Sequence, residues 1–527
     1  MATSRSRVSL RRDTERPFRR VLVANRGEIA VRIIRAARGL GMETVAVFSD
    51  ADADSLHVHV ADQAVRIGPS SPAESYLNVD ALVDAARRTG VEAVHPGYGF
   101  LAERAEFAAA CVEAGLVFVG PPATVIASLG DKIAARRVAA AVGVPAVPGT
   151  LDSLDLSRPD GIDAIEAEAE RIGFPLLVKA AAGGGGRGMR RVDRPDQLPA
   201  ALAAGAAEAG SAFGDGSVYL ERLLSPARHV EVQLLGDAMG TVIAIGERDC
   251  SLQRRHQKLV EEAPAPGLSP AQRRRLHEWA IRIGLAAGLQ NAATCEFLLD
   301  RDGDMWFLEV NVRLQVEHGV TELVGGVDLV VEQFLLASGR PLSVAALAAA
   351  ATATDPGAHA IEVRIGAEDP SADFAPTPGT IRRWVMPVGP GVRVDAGIEE
   401  GQAVAPMYDS LIAKIMVHGT DRDEALGRLR RALDDTEIAG LQTTLPFHRF
   451  VVRDADFLAG SVSTDWVADR WDGGTERDRA RVDAVAAAAH LGPRRDGGRA
   501  TKAAHPSGAS TRRREAVRQA AIDRWPR

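Results

Sequence analysis

The sequence predicts a multidomain protein of mixed α/β and α+β class. Three observations carry this reading. At 527 residues the chain is long enough for three or four domains of ordinary size. It opens as strand, helix, strand: RVLVA at 20–24, a helical-period run through Ile29, Ile33, Ile34, Ala37 and Leu40, then TVAVFS. Further on, strand candidates return at HVEVQLLG, TVIAIGE, TCEFLLD and MWFLEVNV, as a separate α+β unit would require.

VEAVHP and LVFVG add strands to the opening βαβ unit. Its connecting turn, Asn25-Arg26-Gly27-Glu28, is not G-x-G-x-x-G, so a dinucleotide fingerprint is absent. Residues 131–149 read as a helix ending near Gly143, with prolines after it. A small α+β unit with a glycine loop follows at about 150–225. Residues 358–445 add the strands AIEVRIGAE, TIRRWVMP and LIAKIMVHG and the helix RDEALGRLRRALDD. From about 475 the chain is rich in Ala, Arg, Gly and Ser. It is expected to be largely disordered, with one short helix in RREAVRQAAIDRW. The first residues lack the apolar run of a secretory signal, and Asp13 and Glu15 count against a transit peptide; a disordered extension is expected.

A charged content of 25% and a hydrophobic content of 46% are those of a soluble globular protein. The net charge of −7 argues against a nucleic-acid partner. No apolar run approaches the ~20 residues that cross a bilayer. Three scattered cysteines give neither a disulfide framework nor a zinc spacing, which points to a reducing compartment, the cytoplasm. Only five cationic positions are lysine (Lys132, Lys179, Lys258, Lys414, Lys502) against 58 arginines. A lysine kept against such a bias is one needed as a compact point charge that a planar guanidinium cannot replace.

The densest chemistry lies in MWFLEVNVRLQVE, 305–317. Glu309, Asn311, Arg313, Gln315 and Glu317 alternate with Val310, Val312, Leu314 and Val316, the period of a strand. Fully extended, Glu309 and Glu317 would stand about 26 Å apart, too far for one small site. The chain is therefore expected to bend or leave the sheet near Arg313, with metal ligands before the bend and an anion site after it. Glu296 and Glu309 fall on neighbouring strand candidates. Alone they would read as two acids on a solvated face; beside a phosphate loop they read as magnesium ligands. The glycines of AGGGGRGM, 182–189, suit either an anion cradle or a flexible hairpin tip, and Lys179 just before them favours the cradle. Arg254-Arg255-His256-Gln257-Lys258, preceded by Gln253, is either a basic surface loop or, set beside Arg313, part of the anion site.

The segments ANRGEIAVRIIRA, HPGYGFLAE, GDK (130–132), VKAAAGGGGRGM, ARHVEVQ, ERDCSLQRRHQKLVEEAPAP, EVNVRLQVEH, IEVRIGAEDP and YDSLIAKI, in this order, resemble the biotin carboxylase family of ATP-grasp enzymes over roughly residues 18–465. After the extension expected at 1–17, the resemblance implies an N-terminal Rossmann-like pre-ATP-grasp domain at 18–130 and an ATP-grasp domain at 131–345 with a mobile glycine-loop lid. It further implies a C-terminal α+β domain at 346–465, which leaves 466–527 as the mostly disordered tail expected from composition. The reaction it implies has two half-steps. ATP phosphorylates bicarbonate to carboxyphosphate, whose carboxyl group passes to N1′ of biotin. This is the first half-reaction of an acetyl-/propionyl-CoA (acyl-CoA) carboxylase.

Carried over by motif, ATP is held by Lys132, Lys179, Gly185, Gly186, Glu221, Arg222, Leu223, Leu224, His229, Gln253 and His256. Magnesium, with manganese as an alternative, falls to Glu296, Glu309 and Asn311. Bicarbonate falls to Lys258, Arg313, Gln315 and the Val316 backbone. Glu317 is the base, and Arg364 stabilises the enolate-like oxygen of deprotonated biotin. Three positions depart from the pattern: Ala182 for glycine, Val312 for threonine and Gly319 for proline. The Met-Lys-Met site of biotin attachment is not found; Lys502, the only lysine after Lys414, lies in Thr-Lys-Ala-Ala. Biotin is thus expected on a separate biotin carboxyl carrier protein. The second expected partner is a carboxyltransferase subunit, with the chain forming a homodimer and binding neither membrane nor nucleic acid. Two other readings are weighed: an ATP-grasp ligase with another acceptor, such as an amine, and a catalytically silent scaffold.

Overall fold

A computed structural model describes residues 17–154, 161–181 and 189–490. The sequence-based expectations for residues 1–16, for the glycine loop with Gly185 and Gly186, for Ala182 and for the chain beyond 490 lie outside them. Near the N-terminus, β1 (Arg20–Val23), β2 (Glu43–Ser49), β3 (Gln63–Gly68), β4 (Ala93–His95) and β5 (Val117–Phe118) form a parallel sheet in the order β3-β2-β1-β4-β5. Helix α1 (Gly27–Gly39) is the crossover from β1 to β2, and Ile29, Ile33, Ile34 and Ala37 pack with Val21 and Val23 in one core. Leu40 is its C-cap and packs, half-buried, against the same core. The turn into α1 needs Gly27 at φ 65, the left-handed region that favours glycine.

Asp131 caps the helix Lys132–Ala141 by accepting from the Ala134 amide, which sets Lys132 at its first position. The following unit is a three-stranded antiparallel sheet, with β6 (Leu176–Ala180) between β7 (Arg190–Val192) and β8 (Val218–Arg222). Helices Gly161–Ile172 and Leu198–Phe213 belong to it, and Ile165, Val178, Leu202 and Leu220 give it its own small core.

The largest sheet is antiparallel and has eight strands. They are β9 (Arg228–Gly236), β10 (Val242–Arg254), β11 (Gln257–Ala263), β12 (Asn291–Leu299), β13 (Met305–Asn311), β14 (His359–Gly366), Val392–Ala396 and Leu411–Gly419. The spatial order is β13-β12-β9-β10-β11-β14, then Leu411–Gly419 and Val392–Ala396. The sheet is continuous past residue 345, because β11 pairs with β14. Along β9, Val230, Val232 and Leu234 enter the core while His229, Glu231 and Gln233 share the other face. TIRRWVMP does not form one strand: Gly379–Thr380 and Arg383–Val385 pair with different partners.

The expected disorder does not extend over the first part of the tail. Residues Trp466–Arg470 and Gly473–His490 are helical. Trp466 is buried, the Trp471 indole donates to the Pro370 carbonyl at 2.9 Å, and Arg477 donates to Asp369 at 2.8 Å and Ser371 at 2.7 Å. Trp466, Val467 and Trp471 pack into the C-terminal core, whereas Gly473–His490 has few apolar side chains and docks through Arg477, a polar anchor that hydrophobic periodicity does not reveal. Truncation after residue 472 should therefore cost about 1.5–3 kcal/mol relative to truncation after 490, the scale of hydrogen bonds to charged groups. Urea unfolding of the two truncated chains measures it; equal midpoints would mean that the helix is a passive appendage.

Candidate active site

The sheet register builds the site. Glu309 on β13 stands opposite Glu296 on β12, Glu296 opposite Glu231 on β9, and Glu231 opposite Arg248 on β10. Directly opposed residues carry Cβ atoms about 5 Å apart on one face. Three carboxylates in such a row repel unless cations lie between them. Arg248, fully buried, donates to Glu231 at 2.5 Å. The Lys258 ammonium on β11 reaches Glu231 at 2.5 Å, Glu296 at 3.0 Å and Glu317 at 2.7 Å. At the other end Lys132 pairs with Glu309.

After Asn311 the chain leaves the sheet, as the span argument requires. Val312 is a core residue, which accounts for its apolar side chain. Arg313 donates to Gln315 Oε1 at 2.7 Å and Asn311 Oδ1 at 3.0 Å, and its Nε lies 3.1 Å from Glu103. Gln315 and Asn311 both donate to Glu296 Oε1, at 3.2 and 2.7 Å. Glu317, fully buried, precedes the helix His318–Gly325 and accepts from Arg364 Nη2 at 2.9 Å. Arg364 Nε donates to Glu261 at 2.6 Å. Its β14 neighbours Ile361, Val363 and Ile365 face the opposite core, as the alternation predicts. Any side chain at Gly319 would overlap Met416 Sδ, so here the methionine occupies the space next to the helix start.

Burial alone would raise the Glu317 carboxyl, but Lys258, Arg364 and Arg248 outweigh it and hold it well below the usual carboxylate range. The same contest leaves Glu296 ionised, with Lys258 and His229 prevailing over burial. Lys258 is itself raised well above the ordinary lysine value: burial opposes its charge, and the anions around it win. Glu261 differs. Burial pushes it up to about 7, helped by the Glu317 charge and only partly offset by Arg364.

The residues expected around a nucleotide form a second group. Lys179 pairs with Glu221, which also accepts from Arg136 at 3.1 Å. His229 Nε2 lies 2.8 Å from Glu296, and Gln253 Nε2 lies 3.3 Å from His229 Nδ1. Burial and the nearby Lys179 lower Lys132 to about 8. Arg222, Leu223 and Leu224 follow at the end of β8, with the Arg222 side chain exposed. The basic cluster is tighter than a loop: β10 runs through Arg254, and only Arg255 and His256 turn, at φ 49 and 65. Such a turn favours glycine or asparagine; here it sets His256 at an exposed tip.

His229, Glu231 and Glu296 also bring ligand atoms within 4.8 Å of one another. Glu231 is held by Arg248 and Lys258, and Glu296 and Glu309 are likewise paired, with Lys258 and with Lys132. Sequence reasoning missed Glu231, Arg248, Glu261, Glu103 and Cys250, whose Sγ lies 3.8 Å from Glu317. Alternation in HVEVQ could have placed Glu231 beside His229. Nothing in the buried run of β10 singles out Arg248.

Three family profiles divide the chain. Residues 17–126 match the biotin carboxylase N-terminal domain, 131–345 the ATP-binding domain of the carbamoyl-phosphate synthase L chain, and 362–469 the biotin carboxylase C-terminal domain. The chain belongs to the biotin carboxylase family of ATP-dependent ligases. It is 47% identical to the biotin-dependent acyl-coenzyme A carboxylase alpha3 subunit of Mycobacterium leprae, over 86% of this chain and 74% of that one. It is 46% identical to the biotin carboxylase of Pseudomonas aeruginosa, over 85% and 97%. Among solved structures, the biotin carboxylase domain dimer of Hydrogenobacter thermophilus 2-oxoglutarate carboxylase, in complex with MgADP, ADP and bicarbonate, superposes with a TM-score of 0.82 at 42% identity, covering 86% of this chain and 97% of that one. Among the described residues no helix is long and apolar enough to cross a membrane.

Arg248 should matter to the fold as much as to the site. Arg248→Met would leave Glu231 buried with half its compensation, and removing one partner of a buried pair costs about 3–5 kcal/mol. Urea unfolding of the variant checks this; an unchanged midpoint would show that Lys258 alone satisfies Glu231.

Proposed function

We propose that the chain carboxylates biotin borne on a separate carrier protein, using ATP and bicarbonate, as the first half-reaction of an acyl-CoA carboxylase. The observation that carries the reading is the junction at Glu317. Lys258 holds one of its oxygens at 2.7 Å and Arg364 the other at 2.9 Å, so one ionised carboxylate joins the row of metal-type carboxylates to a guanidinium on β14.

Lys132, Lys179, His229, Gln253, His256 and Glu221–Leu224 border the nucleotide, with Gly185 and Gly186 as further proposed ligands of its phosphates. Glu296, Glu309 and Asn311 offer hard oxygens on paired strands, and the lysines that lie against the two acids, Lys132 and Lys258, support a site that takes positive charge. Magnesium bound there would neutralise charge on the nucleotide phosphates. Bicarbonate sits against Lys258, Arg313, Gln315 and the Val316 backbone. Glu317 takes its proton. The freed oxygen attacks the γ-phosphorus, ADP leaves, and carboxyphosphate forms. Its carboxyl carbon is then attacked by N1′ of biotin, whose proton passes to the departing phosphate, while Arg364 pairs with the enolate-like oxygen of the biotin ring. The name of the M. leprae relative supports an acyl-CoA as final acceptor, which a carboxyltransferase partner would impose. The dimer named for the H. thermophilus domain supports a second copy of this chain as a further partner.

The test is ADP release that depends on bicarbonate and is stimulated by free biotin. Glu317→Gln should lower its maximal rate by roughly 10²–10⁴-fold, the range of one acid–base group, with nucleotide affinity little changed. Because Glu317 titrates far below neutrality, its protonation should not limit the rate near pH 7. Lost nucleotide binding with a preserved rate would place Glu317 in the nucleotide site.

Arg364→Gln should separate the half-reactions. It should slow biotin carboxylation more than the reverse transfer of phosphate from carbamoyl phosphate to ADP. Equal losses in both assays would assign Arg364 to the nucleotide or to the fold.

A further inference from the structure

Four of the five lysines lie among the described residues. Lys132, Lys179 and Lys258 meet the carboxylates of the site. The fourth, Lys414, has no part in the reaction outlined above, yet it lies next to that site. It sits on the strand Leu411–Gly419, directly opposite Arg364 on β14 and Asp395 on its other side. Opposed residues share a face, so Lys414 and Arg364 stand side by side. They grip consecutive residues. Arg364 reaches the Glu317 carboxylate at 2.9 Å, and the Lys414 ammonium donates to the Val316 carbonyl at 2.6 Å.

The Lys414 side chain is fully buried, and a buried ammonium needs compensation. Glu28 on α1 lies 3.4 Å away, and Glu362 and Asp395 face the same space. Burial opposes its charge, but these three acids keep it protonated. The Val316 carbonyl belongs to the peptide that joins Val316 to Glu317, immediately before the helix His318–Gly325. This segment has left the sheet, so no strand ladder fixes it. A compact point charge suits a single carbonyl in a closed space, where a guanidinium fork would need further acceptors.

We propose that Lys414 is a positioning residue: through the Val316–Glu317 peptide it fixes both the backbone against which bicarbonate is bound and the carboxylate that deprotonates it. The inference rests on the functional reading above. Lys414 touches no reacting atom, so its loss should be felt in the bicarbonate step and not in nucleotide binding.

The experiment uses the full chain with Lys414→Met and Lys414→Arg. Binding of ATP, the KM for bicarbonate, and the maximal rate of bicarbonate- and biotin-dependent ADP release are measured for each. For Lys414→Met the maximal rate should fall by about 10–10²-fold, the cost of a displacement near 1 Å at a reacting group, with a raised KM for bicarbonate and unchanged ATP binding. Lys414→Arg keeps the charge and should recover part of the loss. If Lys414→Met fails to fold, Lys414→Arg carries the test, with the same split between bicarbonate and ATP expected in milder form. Unchanged bicarbonate kinetics in the folded variants would overturn the proposal, and so would parallel losses of ATP binding and turnover. Wild type run alongside separates the two levels: an inactive wild type refutes the functional reading and this inference with it, whereas an active wild type with unaffected variants refutes the role of Lys414 alone.

Discussion

One ammonium holds this site together. Lys258 touches carboxylates from β9, β12 and the segment after β13, three pieces of chain that would otherwise repel one another. Two unit charges 4 Å apart interact by about 4 kcal/mol at the effective dielectric typical of proteins, so this convergence is a large local term. The cost of burying the lysine is met by the same three acids. The arrangement is shared: Glu231 also pairs with Arg248, Glu296 with His229 and Glu317 with Arg364, so removing one member weakens several pairs at once. The surrounding cations extend the principle outward, with Arg248 behind the row, Lys132 at its end, and Arg364 and Lys414 beyond Glu317.

This electrostatic frame also makes sense of the bend after Asn311. The strand period delivers Glu309 and Asn311 onto the face that carries Glu296. Continued straight, the strand would have carried Glu317 away from that face. Leaving the sheet folds Gln315 and Glu317 back toward Lys258 and Glu296. Val312 and Leu314, the alternate residues, go into separate apolar cores and anchor the departure.

Much of this was legible in the sequence because it depends on local period. Alternation located the strands, paired Glu296 with Glu309, and gave Arg364 its facing. The span argument located the bend. What stayed hidden depends on which strands meet. Glu261 resembles any acid on a buried strand until β11 is laid beside β14. Arg248 lies in a strand buried on both faces, where period two carries no information. Lys414 was conspicuous as a rare residue, but its contact with the Val316 carbonyl exists only in three dimensions. The helix Gly473–His490 escaped for a different reason: it docks through Arg477 rather than through an apolar stripe.

The continuity of the large sheet past residue 345 bears on how the chain is made. Synthesis proceeds from the N-terminus, and domains fold as they emerge. Until β14 appears, β11 is an open edge with unpaired amides and carbonyls, a template for joining the wrong chain. That edge carries Glu261 and Glu262 on its opposite faces, and both wait for cations that come later, Arg364 and Arg422. A foreign strand added there would bury two carboxylates with no partner. The charges that later serve the finished enzyme thus guard the nascent one, keeping the edge vacant for the strand that belongs to it.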